Sequence, residues 1–199
     1  KRSRSTVFLV IFFCLTSGGL AQSENLRYID KNKPSLTPKV FAPGFISKKD
    51  EYEYGSVFSK DGSEFFYAVA IKGKAEIRFT KLKKGKWTKP KTIISHKQYS
   101  FNDPFLSPDG SRLYYISDKP LNKKDTSKDY DIWFSKRKGK KWSKPINAGN
   151  AINTDRNEYY ISFTSTGAMY FASNKNKPAK RKSDFDIYRS NFINGKFQT

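Results

Sequence analysis

The chain has 199 residues, with 39 Lys plus Arg against 18 Asp plus Glu and a formal net charge of +21, long enough to bury a real core. Hydrophobic residues make up 36%, and 17 Phe, 12 Tyr and 3 Trp dominate them; with 12 Gly and 9 Pro, this composition suits strands and turns and excludes disorder. A single cysteine excludes a disulfide framework and any zinc site built on cysteines.

Lys1, Arg2 and Arg4 precede an apolar run from Val7 to Leu15, followed by Ser17, Gly18 and Gly19. Gly19 and Ala21 stand just before Gln22 as the small residues a signal peptidase accepts. Residues 1–21 therefore read as a secretory signal peptide, cleaved after Ala21. The apolar run falls short of the about 20 residues that span a bilayer. Cys14 lies inside it, behind Phe12 and Phe13, which are too bulky for a lipoprotein cleavage site. Residues 22–39 form a polar, Pro-containing lead-in, and no later stretch approaches transmembrane length. The expectation is a periplasmic or secreted protein with no stable membrane span after cleavage.

From residue 40 onward one pattern occurs three times. Phe58-Ser59-Lys60-Asp61-Gly62-Ser63-Glu64-Phe65-Phe66-Tyr67 returns as Leu106-Ser107-Pro108-Asp109-Gly110-Ser111-Arg112-Leu113-Tyr114-Tyr115. It returns more weakly as Ile161-Ser162 and Thr166-Gly167-Ala168-Met169-Tyr170-Phe171. Glu76, Asp131 and Asp186 follow at intervals of 55, as do Trp87, Trp142 and Phe197. Asp61 to Asp109 is only 48, because the segment between Asp118 and Asp129 is longer in the second copy.

Each copy reads as four short strands. In the first copy these are Glu53 to Phe58, then Glu64 to Ile71, then Ala75 to Leu82, and a short strand opening at Trp87 and ended by Pro90. Asp61-Gly62 and Asp109-Gly110 are hairpin signals, because both residue types tolerate positive φ. The predicted fold is all-β: a β-propeller of four-stranded antiparallel blades, with about three blades at 45–95, 96–150 and 151–199.

The segments Ser107 to Asp118 and Asp131-Ile132-Trp133 resemble the WD-like propeller repeat of TolB. Asn153-Thr154 through Glu158, leading to Tyr170-Phe171-Ala172-Ser173-Asn174, is similar to the same repeat in exported bacterial envelope proteins. The resemblance covers about residues 40–199 and implies a propeller whose functions in the family are varied. Ser165-Thr166-Gly167 replaces Pro-Asp-Gly in the third copy and leaves the tightness of that turn open. Closed propellers have four to eight blades, so the expectation is an incomplete propeller whose remaining blades are missing from this sequence.

His96 is the only histidine and no Gly-x-Ser-x-Gly motif is present, so no catalytic residue is assigned and no cofactor is expected. Asp129 with Asp131, and Asp184 with Asp186, could share a strand face and offer oxygens to calcium. The first copy has Lys74 and Glu76 there, and the favoured reading is that the second acid accepts backbone hydrogen bonds. Trp87, Trp142 and Phe197 recur in register and are read as packing between blades. Loops between second and third strands emerge on one face. They carry Lys72, Lys74, Lys119, Lys123, Lys124, Lys128, Lys175, Lys177, Lys180, Arg181 and Lys182. The opposite turns are also basic, at Lys83, Lys84, Lys86, Lys138, Lys140, Lys141 and Lys196.

Export makes an envelope protein or an anionic glycan the expected partner, with no nucleic acid. The leading expectation is a non-catalytic binding or scaffolding module. The alternative is the gating propeller of a prolyl-oligopeptidase-type serine peptidase.

Overall fold

The computed structural model describes Ile29 and residues 35–122, 124–125, 129–176, 178 and 184–198. The signal segment and most of the lead-in lie outside the described residues. Within them, the regular structure is entirely strand, and every pairing is antiparallel. The first sheet contains β1 (Tyr52–Phe58), β2 (Glu64–Ile71), β3 (Lys74–Lys83), β4 (Lys86–Trp87) and β5 (Lys91–Ile94). The second contains β6 (Phe101–Leu106), β7 (Arg112–Ser117), β8 (Asp131–Lys138), β9 (Lys141–Trp142) and β10 (Ile146–Asn147). The third is β11 (Glu158–Phe163), β12 (Met169–Ser173) and β13 (Asp186–Ser190), followed by a hairpin of β14 (Phe192–Ile193) and β15 (Lys196–Phe197).

The fourth strand differs from the sequence reading. Lys86–Trp87 only extends the hairpin at the end of β3, pairing Leu82 with Trp87. The strand that flanks the body of β3 is β5, beyond Pro90, with Ile77 opposite Ile94. Pro145 separates β9 from β10 in the same way. A proline lacks the N–H that a continuous ladder needs, so it separates the two short strands instead of ending the blade.

The Asp-Gly turns also form for a different reason than the sequence implied. Only the glycine takes positive φ, +68° at Gly62 and +66° at Gly110. The Gly62 N–H closes the turn on the Ser59 carbonyl at 2.8 Å. Asp61 acts through its side chain, which accepts bonds from the Ser59 hydroxyl (2.6 Å), the Ser63 N–H (3.1 Å) and the Ser63 hydroxyl (2.7 Å). Asp109 repeats this with Ser107 and Ser111. In the third sheet the hairpin is one residue shorter. Thr164 N–H reaches the Ala168 carbonyl, where Ser107 reaches Arg112, and the hydroxyls of Thr164 and Thr166 meet at 2.9 Å.

Alternation along the second strands sends side chains to both faces, and three apolar layers result. Phe66, Ile77 and Phe79 of the first sheet pack on Leu113, Tyr115 and Trp133 of the second. Tyr114, Ile116 and Ile132 pack on Met169 and Phe171 of the third. The outer face of the first sheet (Phe65, Tyr67, Val69) is covered by Ala42 and Ile46, with Phe41, Phe45 and Ile29 beside them. Each fully buried side chain of this size contributes about 2 kcal/mol. Ile187, on the outer side of the third sheet, stays 79% exposed.

A charged staple joins the first two sheets. Arg137 donates to both carboxylate oxygens of Glu64 (3.1 and 2.7 Å) and to the Gly110 carbonyl (3.0 Å) while lying over the Trp142 ring.

Candidate functional site

The first strand of each sheet breaks its register at the same place: between Tyr54 and Ser56, between Asn102 and Phe105, and between Tyr159 and Ser162. The residue inside each bulge is left-handed, with φ +45° at Gly55, +47° at Asp103 and +55° at Tyr160. These strands meet where the sheets converge. A β-carbon on Gly55 would lie 2.5 Å from Asp103 Oδ1 and 2.9 Å from its Cα. Next to this contact the Tyr54 hydroxyl donates to Asn102 Oδ1 at 2.5 Å.

Asp103 is half-buried, and among the described residues its carboxylate receives no hydrogen bond and meets no cation. Burial pushes its carboxyl up from the usual range. The phenol of Tyr54 is pushed up to about 12 by burial first and then by the charge of Asp103, and that of Tyr159 to about 12 by burial first, then by Tyr130 and Tyr160, with Asp103 and Asp129 contributing less. Tyr130 stands 5.7 Å from Tyr159, centroid to centroid, and Tyr159 stands 5.4 Å from Phe185 and 6.2 Å from the exposed Tyr160. A half-buried acid backed by Gly55, next to the Tyr54–Asn102 bond, thus occupies the convergence of the first strands. Sequence reasoning missed it, because Gly, Asp and Tyr share no signal that marks a bulge.

Hydrogen bonds tie the loops at one end of the sheets together. Ser100 N–H donates to Asp118 Oδ1 (2.6 Å), Lys74 Nζ approaches Asp118 Oδ2 (3.4 Å), and Asn157 N–H donates to Asn174 Oδ1 (2.9 Å). At this end a shallow cleft of about 860 Å³ opens between the β2–β3 turn and the β5–β6 connection. Lys72, Lys74, His96 and Lys97 line it. Its one acidic lining residue, Glu76, is engaged by Arg78 Nε (2.9 Å) and the Thr92 hydroxyl (2.6 Å). The His96 ring stacks on Tyr99 at 4.5 Å and its Nδ1 accepts the Gln98 N–H.

Of the other loop cations singled out in the sequence, beyond Lys72 and Lys74, Lys119, Lys124 and Lys175 are described. Lys123, Lys128, Lys177, Lys180, Arg181 and Lys182 lie outside the described residues. Lys119 sits 4.0 Å over the Trp133 ring and Lys175 4.1 Å over the Tyr188 ring, equivalent positions in two sheets. Their backbone N–H groups donate to Ser117 and Ser173. Lys124 is exposed.

The paired acids do not share a strand face. Asp129 and Asp184 precede β8 and β13, whereas Asp131 and Asp186 begin them. Asp131 is buried and accepts from Asn147 Nδ2 (2.8 Å), a side chain where backbone donors were expected; Asp186 is exposed. Glu76 with Thr92 repeats the Asp131–Asn147 pairing in the first sheet. No group of three or more potential metal ligands forms among the described residues.

Glu158, wholly buried, accepts from the Thr154 hydroxyl (2.8 Å), the Thr154 N–H (3.3 Å) and the Ser173 hydroxyl (2.8 Å). Burial pushes its carboxyl up to about 7 and that of Asp131 up to about 6. Trp142 packs edge-on against Phe66 at 5.8 Å, Phe197 against Tyr114 at 6.1 Å, and Trp87 against Phe58 at 6.4 Å.

Known structures share this fold. The chain is similar in fold to TolB from Acinetobacter baumannii, with a TM-score of 0.54 and 17% identity over 77% of this chain. It is also similar to a Mycobacterium tuberculosis puromycin-hydrolyzing peptidase, with a TM-score of 0.51 and 15% identity over 74% of this chain. It spans 33% of the TolB chain and 23% of the peptidase. No protein-family profile matches the sequence, and no curated protein matches it. The fold is an all-β, partial β-propeller, and the three sheets are its blades.

Proposed function

We propose that the chain is a non-catalytic propeller that works outside the cytoplasm as a binding module for an anionic envelope glycan. The cleft lined by Lys72, Lys74, His96 and Lys97 carries this reading. It gathers cations in a concave site, and its only acid already has partners. In the sequence, Lys124 and the cations at positions 123, 128, 177 and 180–182 fall in the corresponding segments of the second and third copies. The leading basic-apolar-small segment supports export, and with it a glycan in preference to nucleic acid.

Binding of an acidic polysaccharide, followed by calorimetry, tests the proposal. Replacing Lys72, His96 and Lys97 by Ser should weaken binding about tenfold. Replacing Lys86, Lys138 and Lys140 on the opposite turns should weaken it less than threefold. Equal losses would mean a diffuse charge effect and no site.

A second reading, the propeller portion of a serine peptidase, is supported by the likeness to the puromycin-hydrolyzing peptidase. A Gly-x-Ser-x-Gly motif in the continuing reading frame would decide for it.

A further inference from the structure

The charged staple of the first blade interface is not repeated at the second. Glu64 pairs with Lys81 and Arg112 with Lys136, so Glu64 and Arg112 hold equivalent places in successive blades. Arg137 and Phe192 correspond in the same way, paired with Trp142 and Phe197. Between the second and third blades a guanidinium therefore replaces the carboxylate, and a ring replaces the guanidinium. Arg112 lies 4.7 Å over the Phe192 ring and 5.7 Å from the centroid of Phe134. Among the described residues no carboxylate forms an ion pair with it.

A cavity of about 240 Å³ opens at this place, at the other end of the sheets from the basic cleft. Arg112, Tyr114, Phe163, Phe192, Ser165 and Thr166 line it, with Tyr114 and Phe163 5.0 Å apart as an aromatic wall. The acid that lines it, Asp109, already accepts from the Ser107 hydroxyl and from the N–H and hydroxyl of Ser111. Thr166 stands where the other hairpins carry an aspartate.

We propose that this cavity binds the carboxylate of a small organic acid, with Arg112 as its anchor. A guanidinium stacked on a ring keeps its edge of N–H donors for a planar partner, and a carboxylate matches that fork. The ligand would take the part that Glu64 plays for Arg137 at the first interface, where the fork is already filled. Ser165 adds an exposed hydroxyl, and the aromatic wall receives the body of the acid. Pockets for drug-sized ligands measure about 300–1,000 Å³, so this one limits its occupant to a single ring or a short chain. The glycan reading rests on the opposite end of the sheets and does not use this cavity.

The test is a titration of the whole chain with benzoate, with glucuronate and with N-acetylalanine. The Arg112 Nε–H resonance and the Phe192 ring are followed. The expected result is a saturable shift at millimolar concentration, weakened about tenfold in Arg112→Gln. The three acids show whether an aromatic ring, a sugar or a chain terminus best carries the carboxylate. Thr166→Asp restores the hairpin acid of the other blades while leaving Arg112 in place, and should weaken binding about fivefold. It keeps the test open if Arg112→Gln fails to fold. Replacing Lys72, His96 and Lys97 by Ser should change the affinity less than about twofold. Three results would each overturn the proposal: no shift with any acid, unchanged affinity in both variants, or inorganic phosphate binding as tightly as the best acid.

Discussion

Gly55 and Asp103 belong to different blades, yet no β-carbon fits between them: one on Gly55 would fall 2.5 Å from Oδ1 and 2.9 Å from Cα of Asp103. The contact joins the first strands of two blades backbone to side chain. Gly55→Ala therefore meets both left-handed strain and a clash with main-chain atoms, and should cost about 2–4 kcal/mol. Gly62→Ala is the control, because its φ is +68° with no atom within 4 Å of the new β-carbon. It should cost about 1 kcal/mol. Urea unfolding of the two variants makes the comparison, and equal losses would deny the close approach.

Glu158 gives the fold a pH dependence of unusual sign. Its carboxyl is raised from 4.5 to about 7 by burial first, opposed by bonds from Thr154 and Ser173 and helped by the charge of Asp131. A raised acid keeps its proton longer in the folded chain. Its stabilisation is full below about pH 4.5 and is lost as pH rises toward about 7, a change on the order of 3 kcal/mol. Asp131, raised to about 6, adds a loss of the same sign. Denaturation midpoints should fall between about pH 5 and pH 8, and Glu158→Gln should remove more than half of that fall.

Arg137 and Glu64 should couple across the first blade interface. Their paired bonds are partly exposed, with side chains 30% and 18% accessible, so screening limits the energy. A double-mutant cycle of Arg137→Met and Glu64→Gln should return about 0.5–1 kcal/mol. It should shrink in high salt. A coupling near zero at low salt would leave the staple without an energetic role.

The hairpin aspartates act in the opposite pH direction. Bonds from Ser59 and Ser63 hold Asp61 at about 2, and at Asp109 those from Ser107 and Ser111 outweigh burial and reach the same value. A lowered acid stabilises above its unfolded value near 4, and that stabilisation is lost as pH falls toward about 2. Asp109→Ala should lower the melting temperature at pH 7 and have a smaller effect near pH 2. The shorter third hairpin, with Thr166 in this place, has no such acid to titrate.

The hairpins and second strands were legible in the sequence because they depend on local chemistry. Asp61-Gly62 and Asp109-Gly110 mark turns, and Glu64–Ile71 has the span its residues predict. The fourth strand was misplaced because Pro90 reads as a stop in one dimension. In three dimensions it divides a hairpin extension from the strand that pairs with Ile77. The burial of Asp131 against Asn147 depends on residues 16 apart that meet only once the sheet forms. The bulges at Gly55, Asp103 and Tyr160 were invisible for a stronger reason. Tertiary packing imposes their conformation on three residue types that have nothing else in common.

Hydrogen exchange of the protein with and without a saturating acidic polysaccharide tests the binding account most directly. Slowed exchange confined to residues 71–75 and 95–99 is the predicted result, with the opposite turns at 83–86 and 138–141 unchanged. Equal slowing of both sets, or of neither, would contradict it.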